Sequence, residues 1–394
     1  MDKPLLPTKG VIASQYVLYF GILGIFLPYF NLYCFHLGFS GFEIGVISAV
    51  RTVTTAFFPL VWGALADRYQ IRKPLYVACS IASTGIWALF LLTTDFLPML
   101  AITLCYGTFY APIIAFLEAF TMDHLGTKKK RYGAIRAWGS ISFILTVILV
   151  GRVIDAAPIR IILVLILAGS ILQSFLSTQV PGPTGLRTKT AASGFSLLTR
   201  RPVLLFLCSA FLMLVSHGTY YGFFSIHLAG LGYGGTFIGF AWALASAAEI
   251  LVMINSERIF MRFSLQRVLV FSFLVAAFRW SVLSWAESGT IILLTQLLHA
   301  ATYGAFHMAS ILYIDSLIPA PAKTFGQSAN NAVTYGLGMM TGFFLNGVLY
   351  DWVGVQTLFG LSAVTAIAGA GLLLVGSSFS SSGSASIQAG KSSR

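Results

Sequence analysis

The stretch "PGPTGLRTKTAASGFSLLTRRP", Pro181 to Pro202, is the longest polar break in a chain that is otherwise a succession of apolar runs. Proline, glycine, threonine and basic residues dominate it, which is the composition of a linker. Working outward, six apolar runs precede it and six follow, each long enough for the roughly 20 residues that a helix needs to cross a bilayer. They cover residues 12–36, 42–66, 75–94, 98–122, 133–154 and 160–180, then 203–229, 235–257, 265–286, 290–317, 325–350 and 355–377. Of 394 residues, 57% are hydrophobic and 9% charged, too few charges to cover a soluble surface. The expectation is an all-α membrane protein of twelve transmembrane helices in two six-helix bundles, 1–180 and 203–377. A cytoplasmic linker, 181–202, joins them, and the Ser- and Gly-rich segment 378–394 reads as a flexible tail.

The net charge of +12 does not require a nucleic-acid partner, because basic residues gather in the cytoplasmic loops of polytopic proteins. With twelve spans, nineteen of the 24 lysines and arginines fall on the side that holds both termini, and only Arg152 and Arg160 on the other. Both termini are therefore expected in the cytoplasm and the protein in the cell membrane, multi-pass. The first run continues from Val11 past Leu37 without an Ala-x-Ala cleavage pattern, so it reads as a retained helix. Cys34, Cys79, Cys105 and Cys208 have neither metal spacing nor a secreted disulfide pattern and read as small packing residues. Arg51, Arg136 and Arg279 lie inside spans and need their own explanation.

The halves repeat one another. "GFEIG" (Gly41–Gly45) matches "GTFIG" (Gly235–Gly239), and "YGTF" (Tyr106–Phe109) matches "YGAF" (Tyr303–Phe306). At the latter offset Glu118 falls on Asp315, and "GRVID" (Gly151–Asp155) answers "GVLYD" (Gly347–Asp351). Four matches in one order across corresponding helices make the bundles pseudo-symmetric, an architecture of secondary transporters whose central site opens to each side in turn. Gly-x-x-x-Gly pairs at Gly41/Gly45, Gly235/Gly239 and Gly338/Gly342 fit close helix approach.

After the second span the chain reads "GALADRYQIRKP", Gly63 to Pro74. It resembles the signature loop of the major facilitator superfamily, with Gly63, Asp67, Arg68, Arg72 and Lys73 in place and Ile71 where the family usually has glycine. The resemblance implies the major facilitator fold and a cytoplasmic latch between halves in which Asp67 takes part; a solvated loop charge is the alternative. The second-half break "NSERIFMRFSLQRV" has Met261 at the aligned place, so the latch is one-sided.

Ionisable residues inside spans are candidates for function. His217, Glu249, Arg279, His299 and His307 lie near midplane in the second half; the first has Arg51 on helix 2, with Glu118 and Arg136 nearer the cytoplasmic ends of helices 4 and 5. Residues three or four apart share a helix face, so His299, Tyr303, His307 and Ser310 form one stripe. His217, Tyr221 and Phe224 form a second, and Trp242, Ser246 and Glu249 a third. Arg279 is the arginine at comparable depth to Glu249, and the pair reads either as a proton-coupling site or as a structural ion pair.

A closer resemblance rests on "RYGAIRAWGSISF" (Arg131–Phe143), "SHGTYYGF" (Ser216–Phe223), "AAEIL" (Ala247–Leu251), "FRW" (Phe278–Trp280) and "LLHAATYGAFHMA" (Leu297–Ala309). These look like the phenylpropionate permease group, related in turn to the oligosaccharide and nucleoside proton symporters. What that implies is a proton-coupled symporter of a small organic solute, such as an aromatic carboxylate. Glu249, Arg279, His299 and His307 would couple the proton, and Glu118, Arg136, His217, Tyr220, Tyr221, Trp242, Trp280 and Tyr303 would bind substrate, with a released Arg279 taking the carboxylate. A sugar or nucleoside symporter is the alternative; a proton-driven exporter is less favoured because helix 5, "GSISFILTVILVG", lacks proline, and a receptor on the same scaffold would bind without flux. No phosphate-binding Gly-Lys loop, His-Glu-x-x-His or cysteine cluster points to catalysis, so neither an enzyme nor a cofactor nor a metal is expected. The expected partners are substrate, protons and the bilayer, and the expected state is a monomer.

Overall fold

Hydrocarbon offers no partner to a backbone N–H or C=O, so an apolar run that enters it must satisfy those groups within itself, as a helix does. The computed structural model describes residues 8–182 and 195–389, and among them the regular structure is helical throughout. Helices α1 (Thr8–His36), α2 (Gly41–Tyr69), α3 (Arg72–Ala88), α4 (Phe96–Leu125), α5 (Tyr132–Ala156) and α6 (Ile161–Ser177) form the first half. A single turn, Phe195–Leu198, precedes α7 (Arg201–Gly230), α8 (Gly235–Arg262) and α9 (Leu265–Leu283).

The last three spans depart from plain helix. The tenth, α10, is Gly289–Leu297 and Phe306–Leu317 with a π-helical stretch, Ala300–Ala305, between them. The eleventh, α11, runs from Lys323–Asn330 through a π stretch, Asn331–Gly338, into Met339–Ala389. That long helix breaks at Gly354 (φ +73°), a left-handed conformation that favours glycine, and α12 follows the break. Nine of these helices are long and apolar enough to span a bilayer by that test alone. Dividing the Gly354-interrupted one and adding the 17-residue α6 and the interrupted α10 gives twelve. Helical backbone continues through 378–389, where composition predicts a flexible tail; 390–394, like most of the 181–202 linker, lies outside the described residues. Large apolar side chains such as Leu60, Leu149, Leu251, Ile254 and Phe278 face outward, the surface that lipid requires.

The chain forms two compact units. One comprises Met1–Thr188 with Tyr221–Leu244, the other Lys189–Tyr220 with Ala245–Arg394. In the first, α1 packs on α5 and α6, α2 on α4, and α3 on α4 and α6. Its core gathers Tyr16, Tyr76, Phe116, Leu117 and Phe120. The start of α8 belongs here because its backbone meets α5 directly: a Cβ on Gly151 would lie 2.3 Å from the Gly235 carbonyl oxygen. Tyr29 seals the same junction by donating its hydroxyl to the Val147 carbonyl at 2.6 Å. Asp155 then accepts from the Gly235 and Thr236 N–H groups, the latter at 2.9 Å, and so caps α8 from another helix.

In the second unit, α9 packs on α10 and on Met339–Ala389. Gly218 of α7 and Gly342 of α11 meet backbone to backbone, a Cβ on Gly218 falling 2.5 Å from the Gly342 carbonyl carbon. Beside them the Thr219 hydroxyl bonds Asn346 Oδ1 and Ser362 Oγ, both at 2.8 Å. Of the cysteines, Cys34 and Cys79 are buried as packing residues, whereas Cys105 and Cys208 are exposed, a correction to reading all four alike.

Candidate functional site

In the second unit, α8, α9 and α10 bring Glu249, Arg279 and His299 together. Arg279 is fully buried. Its Nη1 donates to His299 Nδ1 at 2.9 Å and to Thr302 Oγ1 at 3.2 Å, and its Nη2 donates to Gln296 Oε1 at 2.8 Å. The Tyr220 ring covers it, with the centroid 4.3 Å from the guanidinium carbon, and the Tyr220 hydroxyl donates to the same Gln296 oxygen at 3.0 Å. His299 Nε2 faces Glu249 Oε2 at 3.9 Å. The imidazole of His299 therefore stands between the carboxylate and the guanidinium.

This geometry fixes the tautomer. A guanidinium has no lone pair to offer, so His299 Nδ1 must be the acceptor and the ring proton must sit on Nε2, toward Glu249. A second proton on His299 would break the Arg279 contact. Of the pair, Glu249 is the group that can take up a proton without breaking that bond. It lies against α10 at Gly304, where a Cβ would come within 3.1 Å of Glu249 Cγ. That contact falls inside the π stretch, a form of helix frequently found at functional sites.

The predicted stripe on α10 is present as a ring column. His299 and Tyr303 stack at 5.2 Å between centroids, and Tyr303 and His307 at 6.2 Å. His307 Nδ1 bonds the Tyr335 hydroxyl of the second π stretch, so it belongs to the column's far end, not to the Glu249–His299–Arg279 set. His217 donates Nδ1–H to the Met213 carbonyl at 2.8 Å and sets its ring edge against Trp280, 5.0 Å away. Trp280 is fully enclosed, packed on Tyr220 and Phe359 with its Nε1–H on Ser216, so it supports Arg279 from within the core.

Tyr221 and Trp242 lie in the segment that folds with the first unit; their rings are 5.8 Å apart and Trp242 donates to Ser225 Oγ at 3.0 Å. The first unit also holds Glu118 and Arg136. Glu118 accepts from the Tyr132 hydroxyl at 3.3 Å, and the Arg136 guanidinium carbon stands 3.7 Å from the Phe20 ring centroid. The loop after α2 departs from the pattern expected of a family glycine at 71: Gln70 takes the left-handed turn conformation (φ +56°), leaving Ile71 at φ −115°. Asp67 pairs with Arg72 at 3.0 Å, and Arg72 reaches on to Asp123 of α4 at 3.2 Å, all within this unit. Gly63 has open space around it, the Arg68 guanidinium carbon lies 5.5 Å from the Tyr69 ring centroid, and Lys73 is half-buried.

Gln296, Thr302 and Tyr335 were not singled out by sequence, although Gln296 and Thr302 each stand three residues from His299 on α10. Among the described residues, no three His, Cys, Asp or Glu side chains are grouped to hold a metal ion.

The chain resembles known proteins over most of its length. The chain is 26% identical to the probable 3-phenylpropionic acid transporter of Escherichia coli over 89% of its own length and 93% of that protein's. It is 27% identical to the uncharacterized transporter YwbF of Bacillus subtilis, covering 93% and 92%, and 24% identical to the maltose permease of Geobacillus stearothermophilus, covering 93% and 94%. Among solved structures, the nucleoside transporter NupG superposes with a TM-score of 0.84 at 17% identity, over 94% of this chain and 99% of that one, a likeness of fold. The sequence profile described as MFS_1 like matches residues 11–361. With twelve helices, a repeated plan and a profile match along most of its length, the chain belongs to the MFS_1-like family and is a multi-pass membrane protein of the major facilitator fold.

Proposed function

We propose that the protein is a proton-coupled symporter that imports a small aromatic carboxylate across the cell membrane by alternating access, with both termini in the cytoplasm. The observation that carries this reading is the Glu249–His299–Arg279 set. Ionised Glu249 accepts the field of the His299 Nε2–H and, beyond it, of the Arg279 cation. Protonation cancels that attraction and loosens the α8–α10 contact at Gly304, so proton uptake biases a contact between two helices. Arg279 itself is enclosed, with both terminal nitrogens engaged, and acts here as an orienting residue for His299. The substrate class draws support from the similarity to a phenylpropionic acid transporter.

The energy available is adequate, since each pH unit of gradient contributes about 1.4 kcal/mol per proton. The test uses reconstituted vesicles with 3-phenylpropionate. Wild type should accumulate it in response to an imposed pH difference, and Glu249→Gln should exchange it across the membrane without accumulating it. Accumulation by Glu249→Gln equal to wild type would show that the coupled proton is carried elsewhere.

A nucleoside or sugar proton symporter is a second reading, favoured by the half-buried Glu118, a carboxylate that already accepts one hydroxyl, from Tyr132, and has capacity for others. Unimpaired binding after Glu118→Gln and Arg136→Gln would remove it.

A further inference from the structure

The intramembrane arginines differ in their electrostatic company. Arg279 shares its unit with Glu249, and Arg136 shares its own with Glu118. Arg51 lies ten residues into α2, about 15 Å from its start, in the same unit as Glu118, but its immediate surroundings differ. Its guanidinium carbon lies 5.0 Å from the Phe26 ring centroid, and the groups within electrostatic reach are three tyrosines, Tyr19, Tyr106 and Tyr110. Among the described residues no carboxylate forms an ion pair with it, and its side chain is only partly buried.

Beside it stands a ladder of rings, with Tyr19 and Tyr106 buried and Tyr110 half-buried. Tyr19 of α1 stacks on Tyr110 of α4 at 5.1 Å and 7°, and Tyr110 stacks on Tyr106 at 4.8 Å and 18°. Tyr19 is also the meeting point of charge in this unit, feeling Glu118, Arg136 and Arg51 together. Around Tyr19, two cations and one anion leave an excess of one positive charge within the spans. An uncompensated charge there is costly, and a mobile anion offsets that cost when bound.

From this geometry we infer that Arg51 is the anion-binding group of the first unit and takes the carboxylate of a monoanionic aromatic acid, whose ring lies against the Tyr19–Tyr110–Tyr106 ladder. The inference rests on the symport reading for its substrate class but assigns the carboxylate to a residue that reading does not use. Arginine suits the task because its planar donors match a carboxylate in pairs.

The experiment is equilibrium binding to the purified full-length chain, using 3-phenylpropionate and its neutral isostere 3-phenylpropanamide. Wild type should prefer the acid by about tenfold or more, the loss expected when a charge-assisted contact is removed. Arg51→Gln should bind both alike, and Arg51→Lys should retain part of the preference. A second variant leaves the arginine in place: Thr55→Asp, one turn along α2 where Thr55 already bonds the Arg51 carbonyl, supplies an internal carboxylate and should abolish the preference.

An acid preference that survives in Arg51→Gln or in Thr55→Asp overturns the inference while leaving the symport reading intact. Wild type that binds neither probe, or binds the amide as well as the acid, overturns the inference together with the substrate class on which it rests. Loss of proton-driven accumulation in an otherwise acid-selective wild type would instead count against symport alone.

Discussion

Replacing His299 tests the tautomer argument at the centre of the proposed coupling site. Its Nδ1 accepts from Arg279 Nη1 at 2.9 Å, and the arginine is fully buried. A hydrogen bond to a charged group contributes about 1.5–3 kcal/mol, so His299→Ala should destabilise the fold by that amount. The Thr302 hydroxyl, 3.2 Å from the same nitrogen, remains and places the loss nearer the lower figure, about tenfold in the folding equilibrium. Two amides separate the ring's two edges. Asparagine sets its carbonyl oxygen near the place of Nδ1 and should recover most of the loss, whereas glutamine reaches the place of Nε2 and should recover less. The assay is unfolding in mixed micelles with rising denaturing detergent, read by intrinsic tryptophan fluorescence. His299→Asn should also bind substrate while accumulating it poorly under a pH gradient, because no ring N–H then faces Glu249. The reasoning is refuted if His299→Gln proves more stable than His299→Asn, for then Arg279 is not held through Nδ1.

Other consequences follow from the same structure. One proton carried with one monocarboxylate moves no net charge, so collapsing the membrane potential with potassium and valinomycin should leave initial uptake unchanged, whereas proton symport of a neutral sugar or nucleoside would slow. A Cβ on Gly235 would lie 2.3 Å from Ile154 Cγ1, so Gly235→Ala should cost about 1–3 kcal/mol in the unfolding assay. Gly63→Ala, with open space around it, should fall within about 0.5 kcal/mol of wild type. Arg72→Ala leaves Asp67 and Asp123 facing one another without their shared cation and should cost about 1–2 kcal/mol. Adding Asp67→Asn should return part of that loss, and no return would mean that the carboxylates do not feel each other.

The helices were legible in sequence because lipid imposes one solution on a long apolar run. What the pattern did not carry was partnership across helices. His299 and Glu249 each announced themselves as polar groups in apolar spans, yet sequence joined Glu249 to Arg279 directly, since complementary charge is the simplest pairing rule. The imidazole between them depends on the approach of α10 to α8 at Gly304, a packing detail. The π stretches, Ala300–Ala305 and Asn331–Gly338, were not legible in the sequence, because nothing in their residue types distinguishes π from α hydrogen bonding. Arg51 was visible as an isolated charge, but its tyrosine company required the stacking of α1 on α4.

The internal repeat shows how one scaffold position acquires two solutions. Ser40 starts α2 with its own capping box, its hydroxyl accepting from the Glu43 N–H. At the matching place before α8 stands Gly234, which has no side chain to cap with, and Asp155 of α5 supplies the acceptor instead. The cap of α8 is thus a contact between helices, where the cap of α2 is local. Asp155→Ala should therefore cost about 0.5–2 kcal/mol, the usual loss of an N-cap. In that background Gly234→Ser should recover it, since the Cβ that would otherwise meet Asp155 Oδ1 at 2.8 Å now has room. The double variant would carry a local cap like that of α2, stable in the unfolding assay but without the α5–α8 link. Should transport in vesicles stay at the wild-type rate in the double variant, the link serves stability alone; a changed rate with restored stability would mark it as a contact that the transport cycle uses.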